Sequence, residues 1–205
     1  MKVIRPFGPT IAKVSIPNEL IAELNKYVDD LIQNKEKIKS QDFGDQLAGN
    51  VSQEFKLDKS FILSSGLENF LMQNTKEWIN KTINKEIKNF SIIDSWIVRQ
   101  FQNEYNPLHS HGGHISGVGY LKVPDDCGDT IQENKKNFNG NLQLVHGTKM
   151  FLSPVILNIE PKVGDFYFFP NYLMHCVYPY KNESSERRSI SFNALIDQEV
   201  YGNIG

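Results

Sequence analysis

The sequence predicts a mainly β protein with flanking helices, a jelly roll or double-stranded β-helix that is buttressed by N-terminal α-helices. Two observations support this fold class. Before residue 90, apolar residues recur at helical spacing, whereas from Ile92 onward short runs with strand periodicity alternate with Pro, Gly, Asn and Asp. Such strands suit two facing antiparallel sheets. The 205 residues, 40% of them hydrophobic, are expected to form a single domain, with 1–90 as a helical support region and 91–200 as the jelly-roll core.

The first predicted helix follows an expected edge strand at residues 11–14. Pro17 stands where the first turn of a helix tolerates proline, because the missing amide hydrogen has no partner there. The helix then presents one apolar stripe, which is formed by Leu20, Leu24, Tyr27, Val28, Leu31 and Ile32. Such a stripe is a packing surface, so we expect this helix to cover the outer face of one sheet.

A second helix is predicted from Ser65, because Glu68 stands three residues later and completes a capping box. Its apolar stripe consists of Leu67, Phe70, Leu71, Trp78, Ile79 and Ile83. The two helices are expected to pack on the sheet through Leu24, Leu31, Phe70 and Trp78. Between them, residues 40–59 are polar and lack a clear period, which predicts either the rim of a cleft or an ordinary surface connection.

The second part of the chain is rich in strand patterns. Strands are predicted at residues 97–101, 115–123, 142–145, 150–157, 165–169, 176–178 and 189–195. Residues 124–140 are polar and charged, which predicts a long surface loop.

Charge and cysteine content exclude several classes of partner. The net charge of −2 and the isoelectric point near 6.2 give no general attraction to nucleic acid or to anionic membranes. With only two cysteines and neither a signal-peptide pattern nor an apolar run of about 18 residues, we expect a cytoplasmic protein without a disulfide.

All five histidines fall between His109 and His175. His109 and His111 stand at positions i and i+2, which share one face of a strand, so their imidazoles can bind one metal ion. His175, on a distant strand, is expected to complete the site. The other interpretation is that these are polar surface residues before a Gly-Gly turn. His114 follows that turn, so the same-face argument does not extend to it, and His146 is at most a lining residue.

Three blocks follow one another along the second half of the chain. The first comprises residues 106–111 (NPLHSH) and 116–121 (SGVGYL), the second 161–165 (PKVGD) and 169–175 (FPNYLMH), and the third 186–193 (ERRSISFN). Together they resemble the iron(II)- and 2-oxoglutarate-dependent dioxygenases, particularly the branch of bacterial and phage oxygenases that is related to prolyl 4-hydroxylases. The resemblance covers residues 92–196, and three blocks in the right order are more specific than any one of them.

The resemblance implies that His109, His111 and His175 are the catalytic ligands of iron(II). The wider superfamily usually has His-x-Asp or His-x-Glu where this chain has His109-Ser110-His111, so the carboxylate is missing from its expected place. A three-histidine site keeps the full charge of the ion, which favours a dianionic chelator such as 2-oxoglutarate. The closer branch shares this departure.

The third block contains the expected co-substrate residues. Strand alternation places Arg187, Ser189, Ser191 and Asn193 on one face and Arg188 on the other, so a guanidinium and a hydroxyl can converge on one carboxylate. By resemblance, Arg187 and Ser189 hold the distal carboxylate of 2-oxoglutarate, and Tyr120 is a further contact. Alternatively, Arg187 is a surface residue paired with Glu183 or Glu186.

The resemblance therefore implies a 2-oxoglutarate-dependent hydroxylase that uses O₂ on a small-molecule or peptide substrate and releases succinate and CO₂. Two alternatives stay open. One is a cupin-like binding or structural protein that the metal stabilises, and the other is a three-histidine oxygenase that does not use 2-oxoglutarate. The Arg-x-Ser pattern favours the first hypothesis, since neither alternative requires a buried cation there.

Overall fold

The computed structural model describes residues 8–132, 134–183 and 185–202, which form ten strands and five α-helices. The strands are β1 (Ala12–Ser15), β2 (Gln53–Lys56), β3 (Phe90–Gln100), β4 (Asn106–His109), β5 (Ile115–Lys122), β6 (Leu142–Val145), β7 (Ile156–Ile159), β8 (Asp165–Pro170), β9 (Met174–Val177) and β10 (Arg187–Ile196). The helices are α1 (Asn18–Leu31), α2 (Lys35–Gln41), α3 (Lys59–Ser64), α4 (Leu67–Ile83) and α5 (Gln198–Tyr201), with a 3-10 turn at Gly44–Gln46.

The strands form two antiparallel sheets. The larger sheet has the order β1-β8-β5-β10-β3-β2, and the smaller has the order β4-β9-β6-β7. The long strand β10 pairs with β3 on one side and with β5 on the other. The centre of the larger sheet is therefore built from the first and third sequence blocks. The predicted fold class, a jelly roll with flanking helices, is confirmed.

Apolar side chains fill two separate layers. On the outer face of the larger sheet, Leu24 and Trp78 from the helices belong to one core with Phe168 and Ile190, and Phe70 packs against it as predicted. Leu31 is buried outside this cluster. The two sheets enclose a second core, which consists of Tyr120, Leu142, Leu144, Ile159, Tyr167, Phe169 and Leu173. This second layer adjoins the candidate site.

The predicted strands appear in the expected order, with differences at their ends. Met150 and Ser153 form an isolated bridge that closes a tight turn, in which Leu152 has a φ of +63°, so β7 begins only at Ile156. Strand β2 was not predicted, because three of its four residues are polar. It forms because it pairs along its whole length with β3. Residues 124–140 lack helix and strand where they are described, as expected for a loop.

The predicted capping box at Ser65 is wrong. Helix α4 begins at Leu67 after Gly66, whose φ of +79° is a left-handed conformation that favours glycine. Ser65 ends α3 instead, where its amide donates to the carbonyl of Phe61. The short helices α2, α3 and α5 were not predicted, because none is long enough to repeat an apolar stripe. Among the described residues, no helix combines the length and the apolar character needed to cross a bilayer.

Candidate metal centre

Three histidines converge between the sheets. His109 ends β4 and lies directly opposite His175 on β9, while His111 lies two residues beyond the end of β4. One ring nitrogen from each lies within 4.8 Å of the others, and the Nε2 atoms of His111 and His175 are 3.0 Å apart. No Asp, Glu or Cys of the described chain joins this group. The structure thus brings together the three residues that the sequence predicted as ligands.

Hydrogen bonds set the tautomers of two of these rings. Nδ1 of His109 lies 2.7 Å from the carbonyl oxygen of Pro107, and Nδ1 of His175 lies 2.8 Å from that of Leu173. A carbonyl oxygen only accepts, so each Nδ1 carries the hydrogen and each Nε2 keeps a lone pair. A metal-binding histidine is commonly oriented in this way. Both rings are therefore set to bind an ion through Nε2.

The electrostatic surroundings keep the site neutral. Burial, together with repulsion from the neighbouring His175 and His109, lowers the pKa of His111 to about 3. Burial and His109 likewise lower the pKa of His175 to about 4, although its bond to the Leu173 carbonyl opposes the shift. Both imidazoles are thus unprotonated near neutral pH, which is the form that binds metal.

Asn171 holds the chain at His111. The amide of His111 donates to the Asn171 carbonyl at 3.0 Å, and the side-chain amide of Asn171 donates to the His111 carbonyl at 3.2 Å. The amide of Asn171 donates in turn to the carbonyl of His114. His111 therefore owes its position to this clamp and not to strand alternation, which is a correction to the sequence argument. The only sequence signal for Asn171 is its place within the second block.

Arg187 is 1% exposed and only partly hydrogen-bonded. Its Nη1 donates to Oε1 of Gln100 at 2.8 Å, whereas Nε and Nη2 have no hydrogen-bond partner among the described residues. The guanidinium lies 5.0 Å from the ring centroid of Tyr120, whose buried hydroxyl is also without a hydrogen bond there. Ser189 is buried opposite Tyr120 in the neighbouring strand. Unsatisfied buried donors cost folding free energy, so this group of residues suits an anionic ligand.

Arg188 points to the other side of the sheet, as strand alternation predicts. Its guanidinium donates to Glu186 at 2.6 Å and to Asp29 on α1 at 2.7 Å. Burial alone would raise the pKa of Glu186, but hydrogen bonds and charge from Arg99 and Arg188 lower it to about 2. The alternative that pairs Arg187 with Glu186 is therefore wrong, since Arg99 and Arg188 occupy that carboxylate.

Two connected cavities open on the three histidines. The inner one lies between the sheets and is also lined by Arg187, Ser189, Ser191, Trp96 and Phe169. The outer one is a cleft of about 310 Å³ whose far wall is formed by Phe43, Gln46, Leu47, Ala48 and Glu54. Residues 40–59 therefore contribute to the rim of the cleft, which is the first of the two roles considered for them.

The remaining histidines lie outside the cluster. His114 is buried, bonds through Nδ1 to the backbone of Ile196 and stacks on Tyr201 at 3.9 Å between ring centroids. His146 is exposed on the far side of β6. Both positions agree with the expectation that neither residue is a ligand.

Comparison with known proteins adds a partial similarity to one family and a shared fold. The model of the family described as "Putative 2OG-Fe(II) oxygenase" matches residues 94–193, which include every predicted site residue. No curated protein sequence matches the chain significantly.

Several solved structures share the fold. A prolyl-4-hydroxylase of Pseudomonas putida has a TM-score of 0.59 at 14% identity, with 91% of each chain covered. The viral collagen prolyl hydroxylase of Paramecium bursaria Chlorella virus-1, in complex with 2-oxoglutarate, has a TM-score of 0.55 at 16% identity, with 90% of this chain and 94% of that chain covered. HygX of Streptomyces hygroscopicus, with nickel, 2-oxoglutarate and hygromycin B bound, has a TM-score of 0.60 at 10% identity, with 92% of this chain and 83% of that chain covered.

The family match spans β3 to β10 almost completely, and the shared fold extends over most of the chain. Over residues 94–193, this chain is therefore similar in sequence to the 2-oxoglutarate- and iron(II)-dependent oxygenase family, and it shares the fold of solved oxygenases that include two prolyl hydroxylases.

Proposed function

We propose that this protein is a non-haem iron(II)- and 2-oxoglutarate-dependent oxygenase that hydroxylates a small-molecule or peptide substrate and releases succinate and CO₂. One observation carries the proposal. The cavity that the three histidines share also contains the guanidinium of Arg187, which is buried with two of its nitrogens unpaired. The three histidines suit a metal ion, and the buried cation of Arg187 on the same cavity suits a dianion that chelates this ion.

His109, His111 and His175 would hold the iron. Neutral imidazoles suit divalent iron, and three of them leave coordination positions for a co-substrate and O₂. The carbonyls of Pro107 and Leu173 fix two of the rings, and Asn171 fixes the backbone of the third. The ligands are thereby oriented before any ion arrives.

Arg187, Ser189 and Tyr120 would hold the far carboxylate of 2-oxoglutarate. The unpaired Nε and Nη2 of Arg187 are neighbouring donors on one edge of the guanidinium, which matches the two oxygens of a carboxylate. The hydroxyl of Tyr120 and that of Ser189 lie on the same strand face and offer further hydrogen bonds. A bound carboxylate would satisfy the donors that the described residues leave unpaired.

When bound, iron(II) and 2-oxoglutarate supply the oxidising chemistry, in which O₂ is reduced, 2-oxoglutarate loses CO₂ to give succinate, and a C–H bond of the substrate becomes C–OH. The protein contributes the surroundings. Trp96, Val98, Phe169 and Val177 line the inner cavity with apolar surface, which limits the access of water to the reacting atoms. The outer cleft leads from His109 and His111 to solvent and is where a substrate would lie.

The alternatives explain less of the site. A protein that uses the metal only for stability, or an oxygenase without 2-oxoglutarate, does not require a buried guanidinium with two unpaired nitrogens. Such a group is destabilising unless a ligand completes it.

Succinate formation tests the proposal directly. The chain is supplied with iron(II), 2-oxoglutarate and O₂ without a substrate, and slow uncoupled turnover is expected to release succinate only when all three are present. The control is the His175→Ala variant, which should release none. Consumption of O₂ without 2-oxoglutarate, or no succinate under any condition, would overturn the proposal.

A further inference from the structure

Glu54 is a buried acid that no described residue neutralises. It lies on β2 opposite Val98, its side chain is 1% exposed, and neither carboxylate oxygen makes a hydrogen bond within the described chain. The amide of Asn106 lies beside it without forming a bond of normal geometry. A buried, unpaired carboxylate lowers the stability of a fold, so its presence needs a reason other than packing.

The position of Glu54 supplies that reason. It lines the outer cleft together with His109 and His111, the proposed metal ligands. The neighbouring wall consists of Ala48 and Gly49, and a Cβ at Gly49 would come within 2.9 Å of Glu54 Oε1. The backbone at Ala48 and Gly49 therefore passes directly over the Glu54 carboxylate, at a point where the chain has almost no side chains.

The charge around Glu54 is uncompensated. No Lys or Arg belongs to the described lining of the outer cleft, and Lys56, two residues further along β2, forms an ion pair with Asp94. The pKa of Glu54 is raised to about 7, chiefly by burial, which the neighbouring side-chain amide of Asn106 partly opposes and the carboxylates of Glu104 and Asp42 reinforce. Above about pH 7, the cleft thus contains a negative charge that no Lys or Arg of its described lining pairs with.

Two aromatic rings in contact with each other line the same cleft as this charge. The rings of Phe43 and Trp96 lie 6.0 Å apart at the cleft, and the ring of Trp96 lies 5.6 Å from that of His111. An apolar wall beside a carboxylate suits an alkyl chain that ends in an ammonium group, because the rings contact the chain and attract the cation.

We infer that Glu54 binds a protonated amine of the substrate, so that the class of substrate is a cationic amine whose apolar part lies in the outer cleft along Phe43 and Trp96, towards His109 and His111. The inference rests on the proposed function, since it places the substrate beside the same metal centre. It assigns Glu54 the role of a specificity-determining residue.

Binding of a matched pair of probes tests the inference. In a Trp78→Phe background, Trp96 is the single tryptophan and its fluorescence reports on the cleft. n-Butylamine, which is protonated, and 1-butanol, which is neutral and of similar shape, are titrated at about pH 8, above the Glu54 pKa of about 7. Titrations use the metal-free chain and the chain loaded anaerobically with iron(II) and 2-oxoglutarate. The variants are Glu54→Gln and, as a matched control, Glu77→Gln, which removes the same charge from the exposed face of α4.

We expect n-butylamine to bind about tenfold more tightly than 1-butanol, a difference typical of one ion pair in a cleft. The preference should disappear in Glu54→Gln and persist in Glu77→Gln. Equal binding of the two probes by the parent would overturn the inference, and this result does not depend on whether the variant folds. A preference for n-butylamine that survives in Glu54→Gln would also overturn it. The metal-free titration does not involve 2-oxoglutarate, so failure of the amine site and failure of the proposed oxygenase activity are distinguishable.

Discussion

The guanidinium of Arg187 lies over the ring of Tyr120, with 5.0 Å between Cζ and the ring centroid, and both side chains are fully buried. The ring attracts the cation. It does not satisfy the hydrogen-bonding capacity of Arg187 Nε and Nη2, nor of its own hydroxyl. The pair is therefore held ready for an anion, on the same cavity as the three histidines.

Replacing Arg187 with Leu is expected to weaken 2-oxoglutarate binding by about 2–5 kcal/mol, since a carboxylate would be left buried without its charged partner. Iron binding should be unchanged, and the ligand-free protein should be as stable as the parent or more so, because a partly unpaired charge is removed. Anaerobic calorimetry of the metal-loaded variant measures the affinity, and chemical denaturation measures the stability. Retained affinity would show that Arg187 does not hold the co-substrate.

Arg188→Leu should have the opposite effects, with lower folding stability and unchanged 2-oxoglutarate binding. Arg188 joins Glu186 to Asp29 and Asn25 on α1, so its loss leaves Glu186 with Arg99 alone and is expected to cost about 3–5 kcal/mol of folding stability. The affinity for 2-oxoglutarate should be nearly unchanged in the folded variant. Calorimetry and denaturation are compared with the Arg187→Leu results, and equal losses of affinity in the two variants would mean that both arginines reach the co-substrate.

Glu54→Gln should stabilise the metal-free protein in a pH-dependent way. Burial raises the carboxyl pKa from 4.5 to about 7 in the folded state, so the folded state holds this proton more tightly than the unfolded state. The parent therefore loses stability as the pH rises through this window, whereas glutamine does not titrate. The variant is expected to gain about 1–3 kcal/mol at pH 8 relative to the parent, and little below pH 4.5. Denaturation at several pH values measures the difference, and a variant less stable at pH 8 would reveal a structural partner for the carboxylate.

Asn171→Ala should weaken metal binding without unfolding the protein. Only one of the bonds between Asn171 and His111 uses the Asn171 side chain, so the loop that carries His111 would loosen but not detach. Loss of an orienting contact outside the ligands typically lowers metal affinity by about 10–100-fold. Competition with a coloured chelator measures this change. Tyr201→Phe, which removes the hydroxyl bonded to Asn171 Oδ1, is the control and should keep the parent's affinity.

The sequence could predict those parts of the site that depend on regular strands. Alternation along β10 separates Arg187 from Arg188, and the structure places them on opposite faces of the larger sheet. The register of β10 with β5 then brings Ser189 opposite Tyr120. Strand alternation is a local property, so the residue pattern alone is enough to predict it.

Other parts depend on contacts between distant segments, which one sequence does not reveal. His111 lies beyond β4 and is held by Asn171, so strand alternation does not explain why it lies beside His109 and His175. Glu54 lies on a strand with a polar sequence, and nothing in that pattern indicates that its carboxylate is buried beside His109 and His111. The position of Glu54 depends on how the chain from Asp42 to Lys56 crosses the outer cleft.

The three histidines and Arg187 are proposed to form a single site for iron(II) and 2-oxoglutarate. Anaerobic titration of 2-oxoglutarate into the iron(II)-loaded chain, followed by visible absorption, tests this proposal. We expect a metal-to-ligand charge-transfer band that saturates at one 2-oxoglutarate per chain, needs iron, and requires a higher concentration of 2-oxoglutarate in Arg187→Leu. Iron that binds to the chain without any such band at saturating 2-oxoglutarate would contradict it.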